Sequence, residues 1–401
     1  MSEPAVFTAE QLWVPGFIAN PSPTYHHLRD HSPLPCMTLP AGAFAGVTEP
    51  IRMWALMKHE DVSSALRDHE TFVSGRSPLA GTAYPKLVLI QDAPPRHTRL
   101  RHLVNKAFTP KRIAALVPWI TSVATALLDA IDTAETDLVQ SYTMPLPMQV
   151  IAHLLGMPTE EYATCKRWSD ATIAYTTITP EARAQSDQAM MAYFGRMALA
   201  RRAHGAEDLL TALVDAEGEG TALEDWEIVS FCMQLLIAGT ETTTHLLGNM
   251  VNILVDRPAL WRQVREDRNL VDAVIDETLR CASPVQRLPR HTARAVAVSG
   301  VGLPAGAGVG IFYGAANRDP RAFPHPDEFR LDRDLRQHVA FGAGVHYCLG
   351  APLARAEASI TLHTFLDRFP VLQRGAGPAI RQTASPLMFG FQHLPLVLAA
   401  A

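Results

Sequence analysis

Apolar residues recur every three or four positions through much of the middle of this 401-residue chain, the spacing that gathers them on one face of a helix. Segments 96–108, 110–130, 144–155, 181–203, 225–255 and 272–281 all carry it. Strand-like alternation is confined to 294–299 and to the neighbourhood of 309–312, with glycine-rich turns between, and 389–398 is also extended in character. The pattern predicts a mainly α fold with a small β region, supplied by the N-terminal part, by about 290–315 and by the C-terminal part. There is no internal repeat or low-complexity tract, and the proline-rich stretches, such as 33–40, are short enough for ordinary loops. One continuous domain over 1–401 is the expectation.

Composition adds constraints. With 48% hydrophobic and 19% charged residues the chain can bury a sizeable core, which excludes disorder and collagen-like repetition. A formal charge of -5 gives no general attraction to nucleic acid or to an anionic membrane. Cys36, Cys165, Cys232, Cys281 and Cys348 stand singly, without the paired spacing of zinc or redox sites, which suits a reducing cytoplasm. The first residues have neither a basic start nor a long apolar run, so no signal peptide or membrane anchor is expected. The most apolar window, 228–238, contains Ser230 and Gln234 and is too short to span a bilayer. A cytoplasmic protein is expected.

The most informative stretch is Phe341-Gly342-Ala-Gly344-Val-His346-Tyr-Cys348-Leu-Gly350-Ala-Pro352, where three glycines crowd one cysteine just before a helix start. Pro352 suits a first helical turn, and Leu353, Ala356 and Ile360 continue at helical spacing. Cys348 then lies at a helix N-terminus, where unpaired N–H groups favour a thiolate. Gly342, Gly344 and Gly350 remove side chains where the backbone must bend and approach something large and flat. An isolated cysteine is more often a small buried hydrophobe, and Gly-x-Gly before a helix also occurs in phosphate-binding turns, but the flanking His338-Val-Ala is a poor strand for the latter.

The full pattern Phe-Gly-x-Gly-x-x-x-Cys-x-Gly resembles the haem-binding loop of the cytochrome P450 family. Further segments follow in that family's order. Ala238-Gly239-Thr240-Glu241-Thr242-Thr243 resembles its oxygen-activating helix, with Ala238, Glu241, Thr242 and His245 on one side. Small Ala238 and Gly239 would leave room for a diatomic ligand and substrate. The competing reading is a core helix in which Thr242 bonds back to the carbonyl four residues earlier. His245 reads as a core residue rather than a ligand. Glu277-Thr-Leu-Arg280 matches a Glu-x-x-Arg pair that holds the cysteine loop. The segment that often supplies a further arginine reads Pro326-Asp327-Glu328-Phe329, which leaves that third partner unassigned. Ala316-Asn317-Arg318-Asp319-Pro320 also resembles a stretch of bacterial members.

The resemblance runs from about Pro94 to Leu353 and implies the cytochrome P450 fold around haem b, with Cys348 as the axial thiolate ligand of the iron and Phe341, Gly342, Gly350 and Ala238 against the cofactor. Its propionates need cations or strong donors, and His97, Arg101, Arg290 and His346 occupy the corresponding positions. The implied activity is monooxygenation: O2, two electrons and two protons are consumed, one oxygen enters an apolar or aromatic small organic substrate by hydroxylation, epoxidation or oxidative dealkylation, and the other leaves as water. Thr242 and Glu241 would manage the protons. The chain has no flavin or nicotinamide fingerprint and no cysteine cluster, so electrons would come from a ferredoxin or flavodoxin with its NAD(P)H-dependent reductase. Arg99, His102, Lys106, Lys111 and Arg112 form a candidate docking stripe.

By the same resemblance the substrate pocket draws on 74–88, 237–242, 284–288 and 388–389, largely apolar, with Arg76 and Gln286 as candidate polar anchors. Three other readings compete: a peroxide-driven haem-thiolate enzyme, against which Thr242 and Glu241 speak; a non-catalytic haem sensor; and a cysteine hydrolase, which lacks a base beside Cys348.

Overall fold

Three of the long helices begin at side-chain caps. The computed structural model describes residues 9–39, 50–74, 87–105, 108–131, 135–215 and 223–399. In chain order the elements that matter are α1 (Ser22–His31), β1 (Cys36–Leu39), β2 (Ile51–Leu56), α2 (His59–Arg67), β3 (Phe72–Val73), α3 (Arg96–Asn105), α4 (Pro110–Asp129), α5 (Pro145–Leu154), α6 (Tyr162–Ile173), α7 (Pro180–Ala203), α8 (Asp225–Val255), α9 (Val271–Cys281), β4 (Leu288–Thr292), β5 (Gly308–Ile311) and α10 (Ala351–Arg368). Thr109 and Thr179 cap α4 and α7 with their hydroxyls, and a proline follows each at the first helical position. Helix α8 opens with a reciprocal box: the Glu224 side chain accepts from the backbone of Glu227, whose carboxylate accepts from the Glu224 N–H at 2.8 Å.

The mainly α architecture with small sheets matches the sequence pattern, and α8 has the expected bounds. Several details differ. Helix α3 stops at Asn105, and residues 106–107 lie outside the described set. The alternation at 294–299 narrows to Val296–Val298, a tight antiparallel pair with Val301–Leu303, and 389–398 divides into Phe391–His393 and Pro395–Ala399. Helices α1, α2 and α6, together with β1 and β2, were not evident. They are short, and α2 and α6 carry polar residues inside the apolar spacing.

Strand order in the largest sheet is β1-β2-β5-β4-β3, with β2 and β5 parallel and the other neighbours antiparallel. All four residues of β5 are buried, as expected for a central strand covered on both faces. The pairing of Arg290 with Val309 fixes Arg290 within β4. The main core lies among α3 to α10, and α8 passes through it, buried around nearly its whole circumference. Helix α4 is the one described helix long and apolar enough, by length and composition, to cross a membrane; Ile113, Ile120, Ala124 and Leu128 are buried, and it packs along α10.

Candidate active site

The cysteine loop is fastened at several points before it reaches the sulfur. Asn317 Oδ1 accepts the Val339 N–H at 2.7 Å, and its Nδ2 donates to Ser283 at the end of α9. At the other side Asp319 accepts the His59 N–H at 2.9 Å at the start of α2, and the His59 ring meets the Gln337 carbonyl at 2.8 Å. The Ala316–Pro320 stretch therefore anchors the loop. Gly342 and Gly344 adopt φ of 72° and 68°, and a Cβ on Gly344 would lie 2.5 Å from the Leu66 carbonyl at the end of α2. Close approach at Gly344 is thus to protein backbone, not to a flat ligand as the sequence suggested. Gly350 is different: a Cβ there would meet the Cys348 sulfur, at 4.0 Å.

The Cys348 N–H donates to the Phe341 carbonyl at 2.9 Å, turning the sulfur toward the start of α10, where the backbone N–H groups of Gly350 and Ala351 point at it. Cys348 is exposed as a residue, yet burial is the largest influence on its thiol, as for a group facing an internal hollow. Burial pushes the thiol up, outweighing the two N–H groups and the Arg101 charge. The N–H groups at the helix start favour the thiolate, as the sequence suggested, while burial works against it; a cation bound to the sulfur would tip the balance to the anion.

Around this sulfur the four predicted propionate partners come together. The His97 and His346 rings lie 4.4 Å apart. Burial, then Arg290, His97 and Arg101, press His346 down to about 3; burial and Arg101 also lower His97. Arg101 bonds Asn105 at 3.2 Å, Arg290 bonds the Pro289 carbonyl at 2.8 Å, and neither has a carboxylate partner among the described residues. Both ring nitrogens of buried His97 lack a partner. Two guanidinium groups and two imidazoles around one hollow call for a dianion. Phe341 lies under the Arg355 guanidinium at 5.2 Å.

On α8, Ala238 is the one fully exposed residue in the middle of the helix, and Thr242, one turn on, is partly exposed. That face borders open space. Gly239 does not: a Cβ there would lie 2.4 Å from Ile151 Cδ1, so its missing side chain admits α5 rather than a ligand, another correction. The Thr242 hydroxyl donates to the Ala238 carbonyl at 2.7 Å, and Thr240 and Thr244 bond back in the same way. Its lone pairs remain free toward the hollow. Gln286 is also reassigned: its Nε2 donates to the Ser283 carbonyl at 2.7 Å and its amide seats against Gly314, so it is no ligand anchor. Arg76 and Lys106 lie outside the described residues.

Two functional partners were not legible in the sequence. Lys166 of α6 reaches Glu241 at 2.7 Å and also pairs with Asp170. This ion pair holds Glu241 at about 2 against the upward pull of burial, while half-exposed Asp170 is displaced upward, by burial first and then by the Glu241 charge. His245, buried beside Glu241 and Gly390, is lowered to about 4 by burial and stays neutral, in keeping with a core residue. The second is Arg333. It donates to Glu277 at 3.1 Å, completing the pair in which Arg280 bonds the same carboxylate through two nitrogens at 2.7 Å. It arrives from seven residues beyond Pro326, so the motif expected at Pro326–Phe329 did not reveal it.

The family model for Cytochrome P450 matches residues 136–398. The chain belongs to the cytochrome P450 family. It is 40% identical over 77% of its length to Cytochrome P450 107B1 of Saccharopolyspora erythraea, covering 76% of that protein. It is 35% identical to the vitamin D(3) 25-hydroxylase of Pseudonocardia autotrophica, over 95% of this chain and 94% of that one. The crystal structure of CYP109E1 from Bacillus megaterium in complex with testosterone superposes with a TM-score of 0.86 at 33% identity, covering 96% of this chain and 99% of that one. This cytochrome P450 is a monooxygenase with haem b as its cofactor, and it takes a small organic substrate, O2 and a redox partner. The residues around the hollow fit that cofactor: a sulfur donor at a helix start, a donor set for two carboxylates, and a small residue opposite.

Proposed function

We propose that this cytochrome P450 hydroxylates or epoxidises a large, mostly apolar, polycyclic or macrocyclic molecule. The convergence of Cys348, His97, Arg101, Arg290 and His346 on one hollow is the observation that carries the site assignment. The apolar character of Ile237, Val285, Leu288 and Met388 and the substrates named for the relatives support the class. Bound haem supplies O–O bond cleavage, favoured by a thiolate ligand. The chain does the rest. Cys348 provides the sulfur, the four cationic or imidazole groups hold the propionates, and Phe341, Gly342, Gly350 and Ala238 shape the cofactor's two sides. We place the whole activity in one domain over 1–401; the near-complete mutual coverage with the testosterone-bound structure supports this.

Thr242 and Glu241 handle protons. With its hydrogen committed to the Ala238 carbonyl, the Thr242 hydroxyl accepts a hydrogen bond from the hollow and can pass its own proton forward when that bond turns. Glu241 is reloaded from the Lys166 and Asp170 side, where Asp170 meets solvent. Thr242→Ala is expected to keep substrate binding while diverting most reducing equivalents to peroxide or water. Product formed per NAD(P)H consumed measures it, and unchanged coupling refutes the relay. Loss of coupling in this variant also disfavours a peroxide-driven reading, in which Thr242 would be dispensable.

A small acidic ferredoxin in the cytoplasm is the proposed electron donor. Arg99, His102, Lys111 and Arg112 are exposed near the cysteine side, and Arg99 stands only 3.9 Å from Glu227. Reversing charge at Arg99 and Lys111 together is expected to slow reduction by ferredoxin several-fold at low salt, with the difference vanishing at high salt. Stopped-flow reduction under CO reads this out, and equal rates at low salt would remove the docking assignment.

A further inference from the structure

Helix α8 carries one polar side chain on its accessible side that makes no hydrogen bond among the described residues. Accessible positions between Ser230 and Thr242 include Gln234, Leu235, Ala238 and Thr242, which gather on one side at helical spacing. The other polar groups on that side each have a protein partner. Ser230 accepts the Val88 N–H at 3.1 Å, Thr242 bonds the Ala238 carbonyl, and Glu241 is held by Lys166. Gln234 makes no hydrogen bond among the described residues: its Oε1 is shut away from solvent and unpartnered, while the residue as a whole remains partly accessible. Its neighbours Phe231, Cys232, Met233 and Leu236 are buried and apolar. A carboxamide held in such surroundings without a partner is costly, and a ligand oxygen that reaches its accessible end recovers part of that cost.

We propose that Gln234 is the polar anchor of the substrate, binding a hydroxyl or ketone oxygen on an otherwise apolar skeleton. The end of the amide that remains accessible is Nε2, whose N–H donates to the oxygen of a hydroxyl or of a ketone alike. Ala238 is one turn away and Thr242 two, about 6 and 12 Å along the helix axis at the standard rise. The anchored oxygen therefore lies roughly that far from the carbon oxidised, which selects rigid molecules with one oxygen function remote from the reacting position. The inference rests on the reading of Ala238 and Thr242 as bordering the reaction site.

Azole probes separate the two. N-phenylimidazole and its para- and meta-hydroxy derivatives would be titrated against the haem-loaded wild type, Gln234→Leu and Gln234→Met, following the Soret shift. The unsubstituted probe is expected to bind all three proteins with similar affinity, which checks fold and cofactor. In the wild type at least one hydroxylated probe should bind roughly 3- to 20-fold more tightly than its parent, the range for a neutral hydrogen bond to an otherwise unsatisfied amide. Both variants should erase that preference. A preference that persists in the variants, or its absence from the wild type, overturns the assignment to Gln234 while leaving the site intact. Failure of every probe to shift the spectrum overturns both.

Discussion

Cys348→His is expected to leave a folded, haem-containing protein whose reduced CO complex absorbs where histidine-ligated globins do, and whose monooxygenase turnover falls roughly 10²-fold or more, a barrier cost of about 3 kcal/mol. The loop tolerates the change because its course is set elsewhere: by Asn317 on Val339, by His59 on Gln337, and by the packing of Gly344 on α2. What is lost is the sulfur. The Gly350 and Ala351 N–H groups and Arg101 are arranged to stabilise an anion at that point, and a neutral imidazole makes no use of them. Spectra of the purified variant, with product analysis, test this. A wild-type spectrum of the globin kind would remove the thiolate from the site altogether.

The sequence made the chemistry more legible than the surroundings that tune it. Cys348 and Thr242 stand in short contiguous motifs, and the backbone of such a motif is itself part of the site. His97, Arg101, Arg290 and His346 come from α3, β4 and the cysteine loop, and their meeting could be expected only through the family's order of segments. Lys166 and Arg333 escaped because nothing local distinguishes them: one stands among the charges of a part-exposed helix, the other in an irregular stretch rich in arginine and aspartate. Gly239 shows the opposite error. Its smallness was visible, but whether a small residue admits a ligand or a neighbouring helix depends on what lies across from it, and here that is Ile151. Likewise the helix start beside Cys348 was visible, whereas the burial that outweighs it was not.

Glu277→Gln should cost about 3–5 kcal/mol of stability, the range for removing one partner of a buried ion pair. Glu277 and Arg280 are completely buried, and the Arg333 side chain nearly so. The single carboxylate faces two guanidinium groups and also accepts the Arg330 N–H at 3.0 Å. A neutral amide cannot balance two enclosed cations. Strain would spread along a defined route: Arg280 also donates to the Asn317 carbonyl at 2.9 Å, and Asn317 holds Val339, two residues before Phe341. Loss of the carboxylate should therefore loosen the cysteine loop, lowering both the melting temperature and the fraction of purified protein with the thiolate-type CO spectrum. Arg333→Lys is the milder companion. It keeps the charge but cannot reproduce the fork that joins Glu277 to the carbonyls of Pro324, His325 and Glu328. It should fold and then lose haem faster than the wild type on transfer to apomyoglobin. If Glu277→Gln melts with the wild type and retains its full spectrum, the ion-pair cluster does not hold the loop.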